Sequence, residues 1–463
     1  MDQGSLVTAF LRQAEKVAPR FVRRWFQPIA QRLKSAEDMI RTKVASKIPS
    51  NDKNVLYAVW DYQLAPSTFD VLNFLCIAEA EREARDLPHF SLIVVPGPEE
   101  GFRDNKIHTM NQKRWRLHNI LLPVTALQPN CAGVHFCHSR LAAAKLLRKV
   151  PGSQLFPNEY TVEAPIAHYN WRLTFAAIAE GKNLQTLRAR SEARRIVRDW
   201  ISDVVKGRLV VTVTLRETPY EEVRNSRLEE FGNFVSKLDK TKILPVILRD
   251  QSKVFEPLPP EFDGTERFDP ALWNTELRMA LYEYADYNLM INNGPFLMAV
   301  FSENVQYGVF RMTTEGVVPT SRKWMQSAGW TLDADFPQAG MLQKLYWQDE
   351  EAEFMFNECA RMLELSENLM RTEFDADWFR QTYPELVGTA ALDDAEKIFE
   401  VYRTEVCKKP INPNDWFDEA WYRNEYPLVS LDVSDQVLRC GFEHYLKIGK
   451  YKHYLPCPGT PPK

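Results

Sequence analysis

The chain has 463 residues, which is enough for roughly two to four domains. Its apolar and charged content is typical of globular proteins, and its net charge of −4 gives no general attraction to nucleic acid, so no nucleic-acid partner is predicted. Seven scattered cysteines without a Cys-x-x-Cys pair indicate a reducing compartment and argue against structural zinc. Neither a secretory leader nor a membrane-spanning apolar stretch is recognisable, which predicts a cytoplasmic location.

Residues 1–50 form a basic segment with ten Lys and Arg residues against four acidic residues. Apolar residues such as Phe10, Phe21 and Leu33 are interleaved with the basic ones, which is typical of an amphipathic helix. Two roles stay open for it. In the first, the helix, as residues 1–46, lies on an anionic membrane surface, and the protein is then peripheral at the inner membrane face. Alternatively, it packs against the protein's own core or another subunit.

The sequence pattern of residues 51–180 predicts a first α/β domain. Strand-like and helix-like patterns alternate here, which indicates a parallel sheet with helical crossovers. The predicted strands are Val55 to Trp60, Phe90 to Val95 and Ala132 to Phe136, and the predicted helices are Thr68 to Arg85, Met110 to Leu121 and Arg140 to Lys149.

Residues 181–355 predict a linker helix, Asn183 to Val205, and a second α/β domain. Its first unit is a strand (Leu209 to Leu215), a polar loop, a helix that begins near Leu228, and a strand (Ile243 to Leu248). In such a parallel βαβ unit the ligand site lies at the carboxyl end of the first strand.

The polar loop of this unit contains residues suited to an anion. Arg216 and Arg224 can clamp a phosphate or diphosphate through paired N–H groups. Ser226, preceded by Asn225, is predicted to be the N-cap of the following helix, and a helix N-terminus favours anions. The alternative is that both arginines form a surface ion-pair network with neighbouring glutamates.

Later loops of the second domain supply further candidates. A helix from Thr275 to Tyr287 carries Arg278, and a short strand (Leu289 to Ile291) leads into the turn Asn292-Asn293-Gly294-Pro295, whose backbone can approach a ligand closely. The segments Phe296 to Phe301 and Val305 to Phe310 are predicted to continue the sheet. Thr314 and Glu315 follow, as candidates for contacts with a ribose or a phosphate.

Residues 356–463 form a region of a different kind, predicted to be helical repeats. The segment FDADWFR at Phe374, followed by Tyr383-Pro384, returns as FDEAWYR at Phe417, followed by Tyr426-Pro427. A period in this range is typical of small stacked helical units. The repeated aromatic residues are predicted to pack against one another.

Three segments of the second domain resemble those of bacterial GT-B-like glycosyltransferases that act on surface polysaccharides. They are VTLRETPYEEVRNSRLEEFGNFV, ELRMALYEYADYNLMINNGPFLMAVF and GWTLDADFPQAGMLQKLYWQDE. The C-terminal FD…YP segments resemble repeats that accompany such enzymes. The resemblance implies an α/β fold with two Rossmann-like domains of GT-B type. The Arg216 loop departs from fucosyltransferase-like members of this group, because Glu217-Thr218 stand where an Arg and an Asp are expected.

The resemblance implies transfer of a sugar from a nucleotide-diphosphate sugar to a glycan or lipid-linked acceptor. The diphosphate would bind near Arg216, Arg224 and Arg278. In this group the general base comes from the first domain, so Asp61, just after the first strand, is the first candidate. His135 and His138 are the second, as residues that activate an acceptor hydroxyl.

Two other classes of function stay open. A sugar-nucleotide epimerase of the same shape would act without an acceptor, and a scaffold protein would use the repeats and have no activity. No cofactor is predicted, because the nucleotide sugar is itself the donor substrate, and no metal site is predicted.

Overall fold

The computed structural model describes residues 54–105, 107–387 and 394–459. The basic segment 1–50, with its predicted helix and membrane contact, lies outside the described residues. In the described part of the chain, no helix is both long and apolar enough to cross a bilayer.

The first sheet has four parallel strands in the order β3-β2-β1-β4. Its strands are β1 (Val55–Asp61), β2 (His89–Val95), β3 (Cys131–Phe136) and β4 (Leu155–Phe156). Its helices are α1 (Val71–Ala84), α2 (Met110–Arg116), α3 (Leu122–Thr125), α4 (Arg140–Leu147) and α5 (Trp171–Ala179). Every residue of β1 is buried, as expected of a parallel strand that is covered on both faces.

The second sheet has six parallel strands in the order β10-β9-β8-β5-β6-β7. Its strands are β5 (Leu209–Thr214), β6 (Ile243–Leu248), β7 (Glu266–Arg267), β8 (Tyr287–Ile291), β9 (Tyr307–Phe310) and β10 (Gln343–Leu345). Its helices are α6 (Ser191–Val205), α7 (Leu228–Lys237), α8 (Pro270–Trp273), α9 (Thr275–Tyr284), α10 (Phe296–Val300) and α11 (Arg322–Ser327). The strand order reverses between β5 and β8, which opens a crevice at their carboxyl ends.

The predicted α/β class with two Rossmann-like units is confirmed. One continuous apolar core contains side chains of both sheets, among them Leu56 of β1 and Met290 of β8. Trp171 of α5 joins the units, because its ring lies 4.5 Å from that of Trp330 and 5.8 Å from that of Phe301. The domain boundaries proposed from the sequence stay predictions.

The segment Phe296 to Phe301 was wrongly predicted as a strand. It forms the helix α10, whose first N–H group, on Phe296, donates to the side-chain oxygen of Asn293 at 3.0 Å. All five residues of α10 are buried. A helix that is apolar on every side has no polar face, so its sequence pattern is the same as that of a buried strand. The linker helix is also shorter than predicted, because α6 begins at Ser191.

The C-terminal region is helical. Its helices are α12 (Ala352–Glu373), α13 (Ala376–Thr382), α14 (Pro384–Val387), α15 (Ala395–Val401), α16 (Glu419–Glu425), α17 (Pro427–Ser434) and α18 (Gly441–Lys447). Asp375 caps α13 by accepting from the Trp378 N–H, and Asp418 caps α16 by accepting from the Trp421 N–H. The two copies therefore repeat the same N-terminal hydrogen bond. The link between these repeats and polysaccharide enzymes stays a prediction.

Buried ion pairs join this region to the second unit. Arg194 of α6 contacts Glu283 at 2.7 Å, Asp432 at 2.8 Å and Asp435 at 3.1 Å. Arg188, which precedes α6, contacts Asp432 at 3.0 Å. Both guanidinium groups are buried, so the region is held to the linker by charges removed from water.

Candidate active site

A cleft of about 610 Å³ lies between the carboxyl edges of the two sheets. One wall comes from the loops that follow β1 and β2 and from α2. The other comes from the loops that follow β5, β6 and β8, with residues of α9 and α11. We call these the first wall and the second wall. Both walls stand where ligands bind in open α/β sheets.

Arg216 lies on the second wall, directly after β5, and is 8% exposed. Its guanidinium donates to the backbone oxygens of Tyr220 (2.6 Å) and Glu221 (3.0 Å) and to the Asn225 side chain (2.5 Å). All of these acceptors are neutral. Burial, assisted by the nearby charge of Arg224, lowers the pKa of Arg216 to about 10. Within the described residues, no carboxylate pairs with Arg216, so its positive charge is available to an anion.

Arg224 also lines the second wall, but it is partly neutralised. It forms an ion pair with Glu221 at 2.9 Å and donates to the backbone oxygen of Asn292 at 3.2 Å. Its Nε is buried and has no hydrogen-bond partner among the described residues. The glutamate-pairing alternative therefore applies to Arg224 and not to Arg216. Glu217 pairs with Arg249.

Arg278 projects from α9 into the same wall and is buried. Its Nε donates to the backbone oxygen of Ala271 at 2.9 Å, and its Nη1 lies 3.4 Å from the Tyr282 hydroxyl. No carboxylate lies within ion-pair distance of it in the described part of the chain. Arg278 and Arg216 are thus two buried cations on one wall that have no counter-ion among the residues that the structure describes.

Asn225 and Ser226 support the site and do not line the cleft. Asn225 positions the Arg216 guanidinium, as described above. Ser226 was predicted to be the N-cap of the next helix, and this is wrong, since the N-cap of α7 is Arg227. The Ser226 hydroxyl accepts from the Arg216 N–H at 3.0 Å, and the Ser226 N–H donates back to the Arg216 oxygen at 2.9 Å. This pair of bonds closes the loop.

Asn292, Asn293 and Gly294 line the cleft, at the turn after β8. A Cβ atom added to Gly294 would lie 2.5 Å from the ring of Phe69, which belongs to the first wall. Glycine is therefore needed here because the two walls approach each other closely. Thr314 and Glu315 do not line the cleft, and Glu315 is exposed.

Asp61 does not line the cleft, so the geometry gives no support to its predicted role as the general base. The residue is 4% exposed, and its carboxylate accepts from Arg140 at 2.7 and 3.0 Å. It also accepts from the Tyr160 hydroxyl at 2.5 Å and from the Gln63 N–H at 2.8 Å. These donors occupy both carboxylate oxygens, so Asp61 holds together the carboxyl end of the first sheet.

His135 and His138 are also outside the cleft. His135 lies on β3, the edge strand of the first sheet, and burial lowers its pKa. His138 is exposed on the loop after this strand. Neither side chain lines the cleft, so the predicted role of this pair, like that of Asp61, has no support from the geometry.

The first wall supplies a carboxylate that sequence reasoning missed, Asp70. Asp70 immediately precedes α1 and accepts from the Thr68 hydroxyl at 2.5 Å. Burial in the cleft raises the pKa of this carboxyl above its ordinary value, against the opposing effects of Thr68, Arg116 and Arg224. A raised carboxyl pKa brings the group closer to the range in which it can take up a proton from a hydroxyl.

His108 is a second missed residue of the first wall. Its ring lies 6.2 Å from that of Tyr220, on the facing wall. Burial, together with the charges of Arg116 and Lys113, lowers the pKa of His108 to about 4. His108 is therefore neutral at physiological pH.

No group of three or more His, Cys, Asp or Glu residues suited to a metal ion occurs in residues 54–105, 107–387 and 394–459.

No family model matches the sequence, and no curated protein matches it. Among solved structures, a family 9 glycosyl transferase from Veillonella parvula is similar over 68% of this chain and 98% of its own, at 10% identity and a TM-score of 0.42. The fucosyltransferase NodZ from Bradyrhizobium is similar over 55% and 93%, at 11% identity and a TM-score of 0.26. A putative UDP-N-acetylglucosamine 2-epimerase from Listeria monocytogenes is similar over 68% and 89%, at 11% identity and a TM-score of 0.30. The structural neighbours therefore include glycosyltransferases, at low identity and with only a general likeness of fold.

Proposed function

We propose that the protein is a glycosyltransferase that moves a sugar from a nucleotide-diphosphate sugar to a glycan or glycoconjugate acceptor in polysaccharide synthesis. One observation carries the proposal. Arg216 and Arg278 are buried and have no counter-ion in the described part of the chain, and they face a cleft whose opposite wall holds a carboxylate of raised pKa, Asp70. Cations on one side and a base on the other are what sugar transfer requires.

In the proposed reaction the bond between the sugar C1 and the diphosphate oxygen breaks. Its electron pair leaves with the nucleoside diphosphate, whose growing negative charge Arg216 and Arg278 stabilise. Arg224 contributes less, because Glu221 already shares its charge.

A new bond forms between the acceptor oxygen and C1, and Asp70 accepts the hydroxyl proton. A positioned base is worth about 10²–10⁴ in rate. Asp70 replaces Asp61 in this role, because Asp61 is buried away from the cleft.

A panel of nucleotide sugars tests the function. The full chain is incubated with each donor and a mixture of glycan acceptors, and release of nucleoside diphosphate is measured with and without acceptor. Release that requires an acceptor supports the transferase. Conversion of the sugar without an acceptor indicates the epimerase alternative. If no nucleoside diphosphate binds at millimolar concentration in a thermal-shift assay, the scaffold alternative is favoured.

Replacing Arg216 by Ala is expected to weaken nucleoside-diphosphate binding by about 1.5–3 kcal/mol, the scale of hydrogen bonds to charged groups. Isothermal titration calorimetry measures the loss. Arg208→Ala is the matched control, since Arg208 precedes β5 at the opposite edge of the sheet and also donates to neutral backbone oxygens. Equal affinity in the Arg216 variant and the wild type would remove Arg216 from the site.

The membrane contact proposed for residues 1–46 has a separate test. The full chain is expected to sediment with anionic liposomes, and a chain that begins at residue 47 is expected to stay in the supernatant, because the basic segment carries the attraction. Neutral liposomes are the control. A full chain that never sediments with anionic liposomes would end the peripheral-membrane proposal.

A further inference from the structure

The cleft is lined by more positive side chains than the binding of one donor diphosphate requires. Seven cationic side chains line it, against three acidic ones (Asp70, Glu221 and Asp250). Three of the cations are paired with glutamates: Lys113 with Glu99, Arg224 with Glu221 and Arg249 with Glu217. Four arginines have no ion-pair partner within the described residues. They are Arg103, Arg116, Arg216 and Arg278.

These four arginines are divided between the two walls. Arg216 and Arg278 belong to the second wall, where the proposed donor binds. Arg103 and Arg116 belong to the first wall, after β2 and at the end of α2. A single diphosphate bound at the crevice between β5 and β8 leaves the charges of the first wall without an anion.

Both arginines of the first wall are anchored by one hydrogen bond to the loop after β1. Arg116 donates from Nε to the backbone oxygen of Ser67 at 2.5 Å, and Arg103 donates from Nη1 to that of Leu64 at 3.1 Å. The two Nη groups of Arg116 have no acceptor among the described residues. Burial lowers the pKa of Arg116, and the charges of Asp250 and Asp70 oppose this effect. The guanidinium is therefore positioned, half-buried and still able to donate.

We propose that the acceptor carries a phosphate group that binds to Arg116, with Arg103 as a second donor. This inference rests on the proposed function and identifies the chemical class of the acceptor. Arg116 is anchored at Ser67, three residues before Asp70, so a phosphate bound there places a neighbouring hydroxyl of the same molecule beside the base. A guanidinium matches a phosphate through parallel N–H groups.

Phosphate binding to the nucleotide-loaded full chain tests the proposal. Inorganic phosphate is titrated into protein saturated with the nucleoside diphosphate found in the panel, or into free protein if none binds, and the bound fraction is followed by ³¹P NMR. We expect one phosphate site whose affinity falls about tenfold or more in Arg116→Gln, because one or two charge-assisted hydrogen bonds are lost. The matched control is Arg114→Gln, since Arg114 is exposed on the same helix and does not line the cleft. Arg116→Lys, which keeps the charge, is expected to recover part of the affinity.

Competition distinguishes the two sources of such a phosphate. Displacement of the bound inorganic phosphate by a soluble hexose phosphate supports a sugar-borne phosphate. Displacement only by vesicles of neutral lipid to which a polyprenyl phosphate has been added supports a lipid-borne one. Displacement by neither overturns the proposal, as does phosphate affinity that is unchanged in Arg116→Gln. Failure of the proposed function is a different result: no nucleoside diphosphate binds and no sugar is transferred, whatever happens at Arg116.

Discussion

Replacing Asp70 by Asn is expected to lower the rate of sugar transfer by about 10²–10⁴ and to leave nucleoside-diphosphate binding intact. The reason is that Asp70 is a cleft carboxylate of the first wall, whereas Arg216 and Arg278 belong to the second. Initial rates at saturating donor, with calorimetry of the nucleoside diphosphate, measure the two effects separately.

The same variant is expected to be more stable than the wild type at neutral pH. Burial raises the folded-state pKa of Asp70 above its unfolded value, so the folded chain holds this proton more tightly than the unfolded chain does. The contribution to stability is fully present below the unfolded pKa and is lost as pH rises through the folded pKa. At neutral pH the ionised carboxylate therefore destabilises the fold, and Asn removes that cost. The melting temperature, measured from pH 4 to pH 8, checks the sign.

Two substitutions serve as controls for Asp70. Glu83→Gln changes an exposed acid near the other end of α1 and should alter neither rate nor stability. Asp61→Asn weakens the buried contacts with Arg140 and Tyr160, so it should lower the melting temperature. If the Asp70 variant transfers sugar at the wild-type rate, another group is the base, and His108 is the next candidate on the first wall.

Replacing Arg194 by Ala is expected to destabilise the fold by about 3–5 kcal/mol, because it leaves the buried Glu283 without its counter-ion, while Asp432 keeps only Arg188. Glu283 and Asp432 are completely buried and both contact this guanidinium. Urea denaturation followed by tryptophan fluorescence measures the change in the free energy of unfolding.

The neighbouring residue provides the control for Arg194. Arg195 lies on the same helix, is exposed and pairs with Glu192 and Asp199. Arg195→Ala should change stability by less than about 1 kcal/mol, since exposed ion pairs contribute little. Similar losses in the two variants would contradict the view that burial of the Arg194 network matters.

The second wall of the cleft could be predicted from the sequence because its signals are local. A β-branched run followed by a polar loop places Arg216 at the carboxyl end of a strand by chain order alone. Asn292 to Gly294 follow a strand in the same way. The contacts within the loop could not be predicted, so Ser226 was given a capping role that it does not have.

The first wall could not be predicted, because its residues converge only in three dimensions. Asp70 seemed to belong to the first turn of a helix, and nothing in the local pattern shows that Arg116 lies near the loop after β1. The local sequence favoured Asp61 over Asp70 as the general base, because Asp61 is an acidic residue directly after a predicted strand. Its partner Arg140 is 79 residues away, so the sequence does not show that the carboxylate is already saturated. The helical state of α10 was hidden for a similar reason, since burial on all sides removes the periodicity.

The attachment of the C-terminal repeats has a consequence for motion. Asp432 contacts both Arg188 and Arg194, at the point where the chain crosses from one sheet to the other, and Lys452 contacts Glu303 of the second unit. Hinge bending in two-domain enzymes is absorbed by a few residues in such a crossing segment. Here the repeats are bound to that segment by these ion pairs. Opening of the cleft must therefore either move the repeats together with the second sheet as one rigid body or break the ion pairs.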